Sequence, residues 1–258
     1  MNYAEIKFST EGPIGILTLN NPQKVNALSK RMIGEIIEVL EQVKTDERIR
    51  VMIINAEGKH FCAGHYLAEM AEGGTREYKY IFERCTEMMK MIHELPQPVI
   101  AQVHGVATAA GCQLVAWCDL AVAETGARFA TPGVKIGLFC ITPMVAVTRA
   151  IGRKAAMEML MTGRFFSAQE AKELGLINRV VSPEALASET MEMAKQIAEA
   201  SPFVLAIGKK AFYTQIDQTD EKAFDYATAA ITLNMTAEDA KIGIKSFLEK
   251  SKPEWRNR

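Results

Sequence analysis

The chain has 258 residues, 48% hydrophobic and 24% charged, and 30 lysines and arginines offset 31 aspartates and glutamates to a net charge of -1. That length buries a sizeable core without disulfides or a structural metal, and near-neutrality excludes the basic footprint of a general nucleic-acid binder. No run reaches the roughly 20 apolar residues of a membrane span, residues 1–20 do not read as a signal peptide, and five cysteines without a CxxC pair suit a reducing, cytoplasmic location.

In chain order, Ile6 and Phe8, then Ile14, Ile16 and Leu17, flank Glu11-Gly12-Pro13 and predict a hairpin. Ser29 is the expected cap of a helix carrying Met32, Ile33, Ile36, Ile37, Leu40 and Val43 at helical spacing. Val51–Ile54 reads as a buried parallel strand, residues 56–64 as a loop, and Tyr78–His93 as a helix stopped at Leu95-Pro96. Pro98–Val103 predicts a strand, His104–Ala110 a small-residue loop, Gly111–Trp117 a short buried helix, and Leu120–Ala123 another strand. This alternation implies an α/β fold of βαβ type. From Thr142 the chain reads as mainly helical except at Leu176–Val181, with amphipathic stretches at Glu184–Ala200, Pro202–Gln215 and Glu221–Met235. The expected division is an α/β core over residues 1–181 and a helical part over 182–258 that serves oligomerisation.

Two loops carry the chemical signal. Phe61-Cys62-Ala63-Gly64-His65-Tyr66-Leu67 follows the Val51 strand, and Gly105–Cys112 precedes the short helix. Both consist largely of small residues, so another group can come close to their backbone. The second opens onto a helix N-terminus, which favours negative charge. Two converging N–H groups would form an oxyanion hole; the alternative is a pair of tight turns. His60, Cys62 and His65 match no zinc spacing, so no metal is expected. No GxGxxG or P-loop motif supports a nucleotide cofactor. His93 suits a cation-favouring helix end, and Met88, Met89 and Met91 run along a helix near a pocket wall, with core packing as their default reading.

Asn26-Ala27-Leu28, Phe61-Cys62-Ala63-Gly64, His104-Gly105 through Gly111-Cys112, Cys118-Asp119, Phe129 with Pro132, and Thr162-Gly163 together resemble the crotonase, or enoyl-CoA hydratase/isomerase, superfamily. The resemblance runs nearly end to end. It implies a ClpP-like spiral of ββα units, a homotrimer or dimer of trimers (a hexamer), and a small-molecule acyl-CoA as substrate, with no cofactor, nucleic acid or membrane as partner. It also implies that the N–H groups of His65 and Ala110 hold the thioester oxygen. Lys24, Val25, Ala27, Ala63, Gly64, Tyr66 and Leu67 match positions around CoA, and Lys210 matches lysines that meet its 3′-phosphate, sometimes from a neighbouring subunit.

The sequence departs from the family where acids are expected. Gln113 and Gly133 stand at the positions of the two hydratase glutamates, and Ile141 at that of an aspartate used by related isomerases. Proton transfer is typically worth 10²–10⁴-fold, so little two-glutamate hydration is expected; if Gln113 and Gly133 are the whole defect, two glutamates there restore it. His65, titrating near neutrality, is the candidate replacement and resembles decarboxylases of the superfamily; the alternative is an inert ring whose backbone alone serves. Cys140 would be nucleophilic if its pKa were lowered, against the default of a buried small hydrophobe, and Glu69 or Glu83 would be an unplaced acid, against the default of solvated side chains. The reading is an enolate-stabilising, lyase- or isomerase-type enzyme, or else a non-catalytic acyl-CoA-binding paralogue.

Overall fold

The computed structural model describes residues 3–71 and 73–258. The alternation of the first residues becomes an antiparallel hairpin of β1 (Ile6–Glu11) and β2 (Ile14–Leu19), with Ile6 opposite Leu19. Helix α1 (Lys30–Thr45) starts where the Ser29 hydroxyl accepts the Met32 N–H at 3.0 Å. The strand β3 (Val51–Ala56) then runs parallel to β2. Helix α2 (Thr75–Glu94) leads to β4 (Val99–Val103), parallel to β3.

The small-residue stretch expected as a loop contains a strand, β5 (Val106–Thr108), which is followed by α3 (Ala110–Trp117). Its side chains are too small to print an apolar rhythm, yet its backbone pairs in parallel with β7 (Arg128–Ala130), beyond β6 (Leu120–Glu124). A 3-10 turn, Pro132–Ile136, precedes α4 (Ile141–Ala150) and α5 (Arg153–Thr162). Then come β8 (Phe166–Ser167), α6 (Ala168–Leu174) and β9 (Arg179–Val181). The chain closes with α7 (Leu186–Ala198), α8 (Pro202–Gln215), α9 (Asp220–Thr236) and α10 (Glu238–Glu249), the last not foreseen.

The strands form a six-stranded sheet, β1-β2-β3-β4-β6-β9, and a three-stranded sheet, β5-β7-β8. In β3, Met52 and Ile54 pack into the core with α1 and α2, while Val51 and Ile53 meet Leu186, Met193 and Ala194 of α7. Coverage on both faces is why this strand reads as continuously apolar. On α9 and α10, Phe224, Leu233, Phe247 and Leu248 remain exposed. Among the described residues, no helix is long and apolar enough to cross a membrane.

Helix α8 is tied to the sheet by a buried polar cluster. Asp119 Oδ2 lies 2.7 Å from Lys209 Nζ and accepts the Val99 N–H at 2.7 Å, while its Oδ1 accepts the Tyr213 hydroxyl at 2.8 Å. Lys209 Nζ also donates to the carbonyls of Ile92 and Gln97. His93 is sandwiched between the Trp117 and Tyr213 rings, with centroids at 4.0 and 3.7 Å. Burial lowers its pKa to about 4, which corrects the expectation of a cationic helix end: this ring is neutral and held by stacking. Asp119→Asn leaves the Lys209 ammonium buried without its counter-charge. We expect a loss of about 3–5 kcal/mol in urea unfolding, partly recovered when Lys209→Met is added.

Candidate active site

The first loop is positioned by Asn26, which is buried and has a φ of 51°. Its amide nitrogen donates to the carbonyls of Glu57 and His60, and its oxygen accepts the Asn21 N–H. Leu28 pairs with the loop like a strand residue: its N–H donates to Gly64 O at 2.7 Å, and its carbonyl accepts the Tyr66 N–H at 3.3 Å. The Val25 carbonyl accepts from Ala63 N–H at 3.1 Å. The Asn-Ala-Leu motif thus holds the loop that bears His65.

The second loop meets the first edge to edge. Cys62 N–H donates to Val106 O, and Thr108 N–H donates to Cys62 O at 2.9 Å. Such contact needs bare backbone. A Cβ on Gly111 would lie 2.3 Å from Cys62 O, and one on Gly64, whose φ is +95°, would lie 2.8 Å from Ala109 Cβ and 3.0 Å from Ala110 N. Ala109 adopts φ 49° and ψ -118°, a costly conformation for a non-glycine residue, and its N–H is fixed to Ala130 O at 2.9 Å. That turn brings Ala110 to the first position of α3, where an N–H has no intrahelical acceptor. Among the described residues, neither the His65 nor the Ala110 N–H has a hydrogen-bond acceptor. Both residues line one cavity of about 880 Å³, large enough for a small-molecule site.

Ala63, Tyr66, Leu67, Gly133, Cys140 and Ile141 also line this cavity. Lys24 stands beside it, its ammonium 4.4 Å from the centre of the Tyr66 ring. Ala27 is buried behind the loop, and Val25 faces a separate shallow groove with Pro22 and Lys59. Lys210 is exposed on α8 and lines a different groove with His93 and Phe203. Gln113 is buried on α3 outside the cavity wall, its Oε1 without a partner.

Several expectations need correction. His65 does not titrate near neutrality: burial holds its pKa at about 4, its ring sits edge-on to Phe82 at 5.2 Å, and its Nε2 is buried without a partner. Cys140 is buried and its thiol pKa is raised by that burial, which agrees with its default reading as a small hydrophobe and removes the nucleophile alternative. Met88 and Met89 pack in the core, their default reading, and Met91 lines another groove; the α2 side chain in the cavity wall is Phe82. Glu69 accepts the Lys30 N–H, and Glu83 is exposed beside Lys79, so neither reaches the cavity. Two added glutamates are no longer a simple repair, because a Cβ on Gly133 would lie 2.7 Å from Leu138 O and 2.9 Å from Cys140 Sγ. Sequence reasoning also missed Met70, Leu138, Phe139 and Pro143 in the wall; the apolar Leu138-Phe139 pair just after Gly137 was the available signal. Among the described residues, no Asp or Glu lines the cavity.

The imidazole pKa values fix a pH response. His65 and His93 lie at about 4 against 6.5 when free, so between those values the unfolded chain binds protons that the folded chain refuses. Their stability contribution is intact above about pH 6.5 and declines as the pH falls to about 4. Thermal unfolding of the His65→Phe/His93→Phe variant should show a shallower decline across that window; an unchanged slope refutes the assignment.

Comparison with known proteins places the fold and the family. The sequence profile described as enoyl-CoA hydratase/isomerase matches residues 9–258. The Danio rerio protein named enoyl-CoA hydratase domain-containing protein 3, mitochondrial, is 46% identical over 248 residues, covering 96% of this chain and 86% of that protein. The crystal structure of an enoyl-CoA hydratase from Mycobacterium smegmatis superposes with a TM-score of 0.95 at 49% identity, covering 98% of this chain and 99% of that one. Human enoyl-CoA hydratase domain-containing protein 3 superposes at 0.96 with 43% identity, covering 98% and 100%. The expected cytoplasmic location does not stand against these relatives, since the zebrafish, mouse and human proteins are all named mitochondrial. The α/β fold of ββα units with C-terminal helices is the crotonase fold of these neighbours, and the chain belongs to the enoyl-CoA hydratase/isomerase family.

Proposed function

We propose that this protein binds an acyl-CoA thioester and holds its carbonyl oxygen between the N–H groups of His65 and Ala110, stabilising the enolate. The observation that carries this reading is the pair of acceptor-free N–H groups on one cavity, set by the contact of Gly64 with the start of α3. A developing oxyanion gains about 3 kcal/mol from each such donor. Coenzyme A is then part of the substrate and not a resident cofactor. Ala63, Gly64, Tyr66 and Leu67, with Lys24 alongside, form the near side of its cradle, backed by Val25 and Ala27. Lys210 lines a different groove of its own chain, and its contact with a CoA phosphate is proposed across a subunit boundary. The exposed apolar side chains of α9 and α10 favour such an assembly, a homotrimer or dimer of trimers.

The chemistry suited to this cavity needs an electron sink more than proton transfer, as in isomerisation or a lyase-type decarboxylation. The His65 imidazole, neutral and buried at Nε2, is a weak base. A cavity wall free of Asp and Glu among the described residues favours a second reading, an acyl-CoA-binding protein without turnover. Proton exchange at the acyl α-carbon in heavy water separates the two.

Infrared difference spectroscopy of carbonyl-labelled butyryl-CoA tests the shared element. The thioester stretch should move to lower wavenumber on binding, and Gly64→Ala, which wedges the loops apart, should abolish the shift; a bound but unshifted carbonyl overturns the proposal. In a coupled assay, crotonyl-CoA hydration should run about 10²–10⁴-fold below a two-carboxylate hydratase. Turnover at the full rate of such an enzyme would remove the acid-free reading.

A further inference from the structure

The segment that follows Gly133 bears on the kind of acyl group the cavity takes, an inference that rests on the acyl-CoA reading above. Leu138 N–H donates to Gly133 O at 3.0 Å, and the place a Cβ would occupy at Gly133 is taken up by Leu138 O and the Cys140 thiol. The chain therefore folds back onto residue 133, which only a residue without a side chain permits. The consequence is an apolar strip: Ile136, Leu138, Phe139 and Ile141 all line the cavity, and Ile136 and Ile141 are 58% and 60% exposed. Phe82 and Met70 line the same cavity.

So much half-exposed apolar surface gathered on one cavity marks a binding surface. His65 is neutral there, and a carboxylate on the acyl group would lose water without a buried counter-charge. Lys135 is the cation on the wall among the described residues, and its Cε packs 3.3 Å from where a Cβ would lie at Gly163.

We propose that the acyl group is a medium- to long-chain aliphatic one, lying along Ile136, Leu138 and Phe139 against Phe82. The fold-back onto Gly133 turns a position open to a polar side chain into part of an apolar channel.

Calorimetry with butyryl-, octanoyl-, dodecanoyl- and methylmalonyl-CoA tests this on the unaltered protein. Each methylene that enters the channel should tighten binding by about fourfold, and dodecanoyl-CoA should bind at least about a hundredfold more tightly than butyryl-CoA. Methylmalonyl-CoA should bind no better than butyryl-CoA. Ile136→Asp, at an exposed position, should remove most of the dodecanoyl advantage, read as the ratio of dodecanoyl- to butyryl-CoA affinity within the variant. Equal affinities across the series, or a preference for methylmalonyl-CoA, overturn the chain-length proposal and leave the acyl-CoA reading standing. Failure of every CoA ester to bind overturns both.

Discussion

The approach of two backbones within the space normally reserved for a side chain governs this molecule. Cys62 and Ala107 pair as strand residues outside the main sheet, and Gly64 and Gly111 keep the space between them bare. The position of Ala110 N at the start of α3, the orientation of the His65 loop and the existence of the cavity all follow from that contact. A single added methyl group at Gly64 would sit within 3.0 Å of the donor itself. The strained Ala109 turn is tolerated because its N–H bond to Ala130 and the pairing of β5 with β7 over-determine it.

The same economy of side chains shapes the cavity chemistry. With a bare Gly133, the chain beyond it closes down and its apolar residues take over the wall. The His65 imidazole on the wall is kept neutral by burial. Under the function proposed above, electrostatic work falls on fixed peptide dipoles, which need no proton and no reorganisation. Outside this cavity, the Asp119–Lys209 pair has a structural role. It anchors α8, the helix that leads into α9 and α10, whose apolar side chains face solvent. Removing one charge is costly because the other cannot regain water.

The fold was largely legible in the sequence. The hairpin at residues 6–19, the Ser29 cap and the buried Val51 strand follow from local rules of alternation, capping and continuous hydrophobicity, and each was found where expected. Strand β5 was not legible, because Val106-Ala107-Thr108 owes its conformation to backbone partners on β7 and at Cys62 and not to its own side chains. The two loops that frame the cavity were legible for the converse reason: an unusual density of small residues has few causes other than close approach.

What the sequence by itself determined, then, was the architecture and the two loops that frame the cavity, since periodicity, caps and bare-backbone loops are local properties of the chain. What only the tertiary structure decided was the state of the groups around that site. His65 and His93 carry the same side chain, and nothing beside them in sequence signals that both are neutral; their lowered pKa values follow from burial among groups the fold brings together. The apolar wall likewise depends on residues 136–141 folding over Gly133. Desolvation and packing are sums over neighbours distant in the chain, so they exist only once the chain has folded.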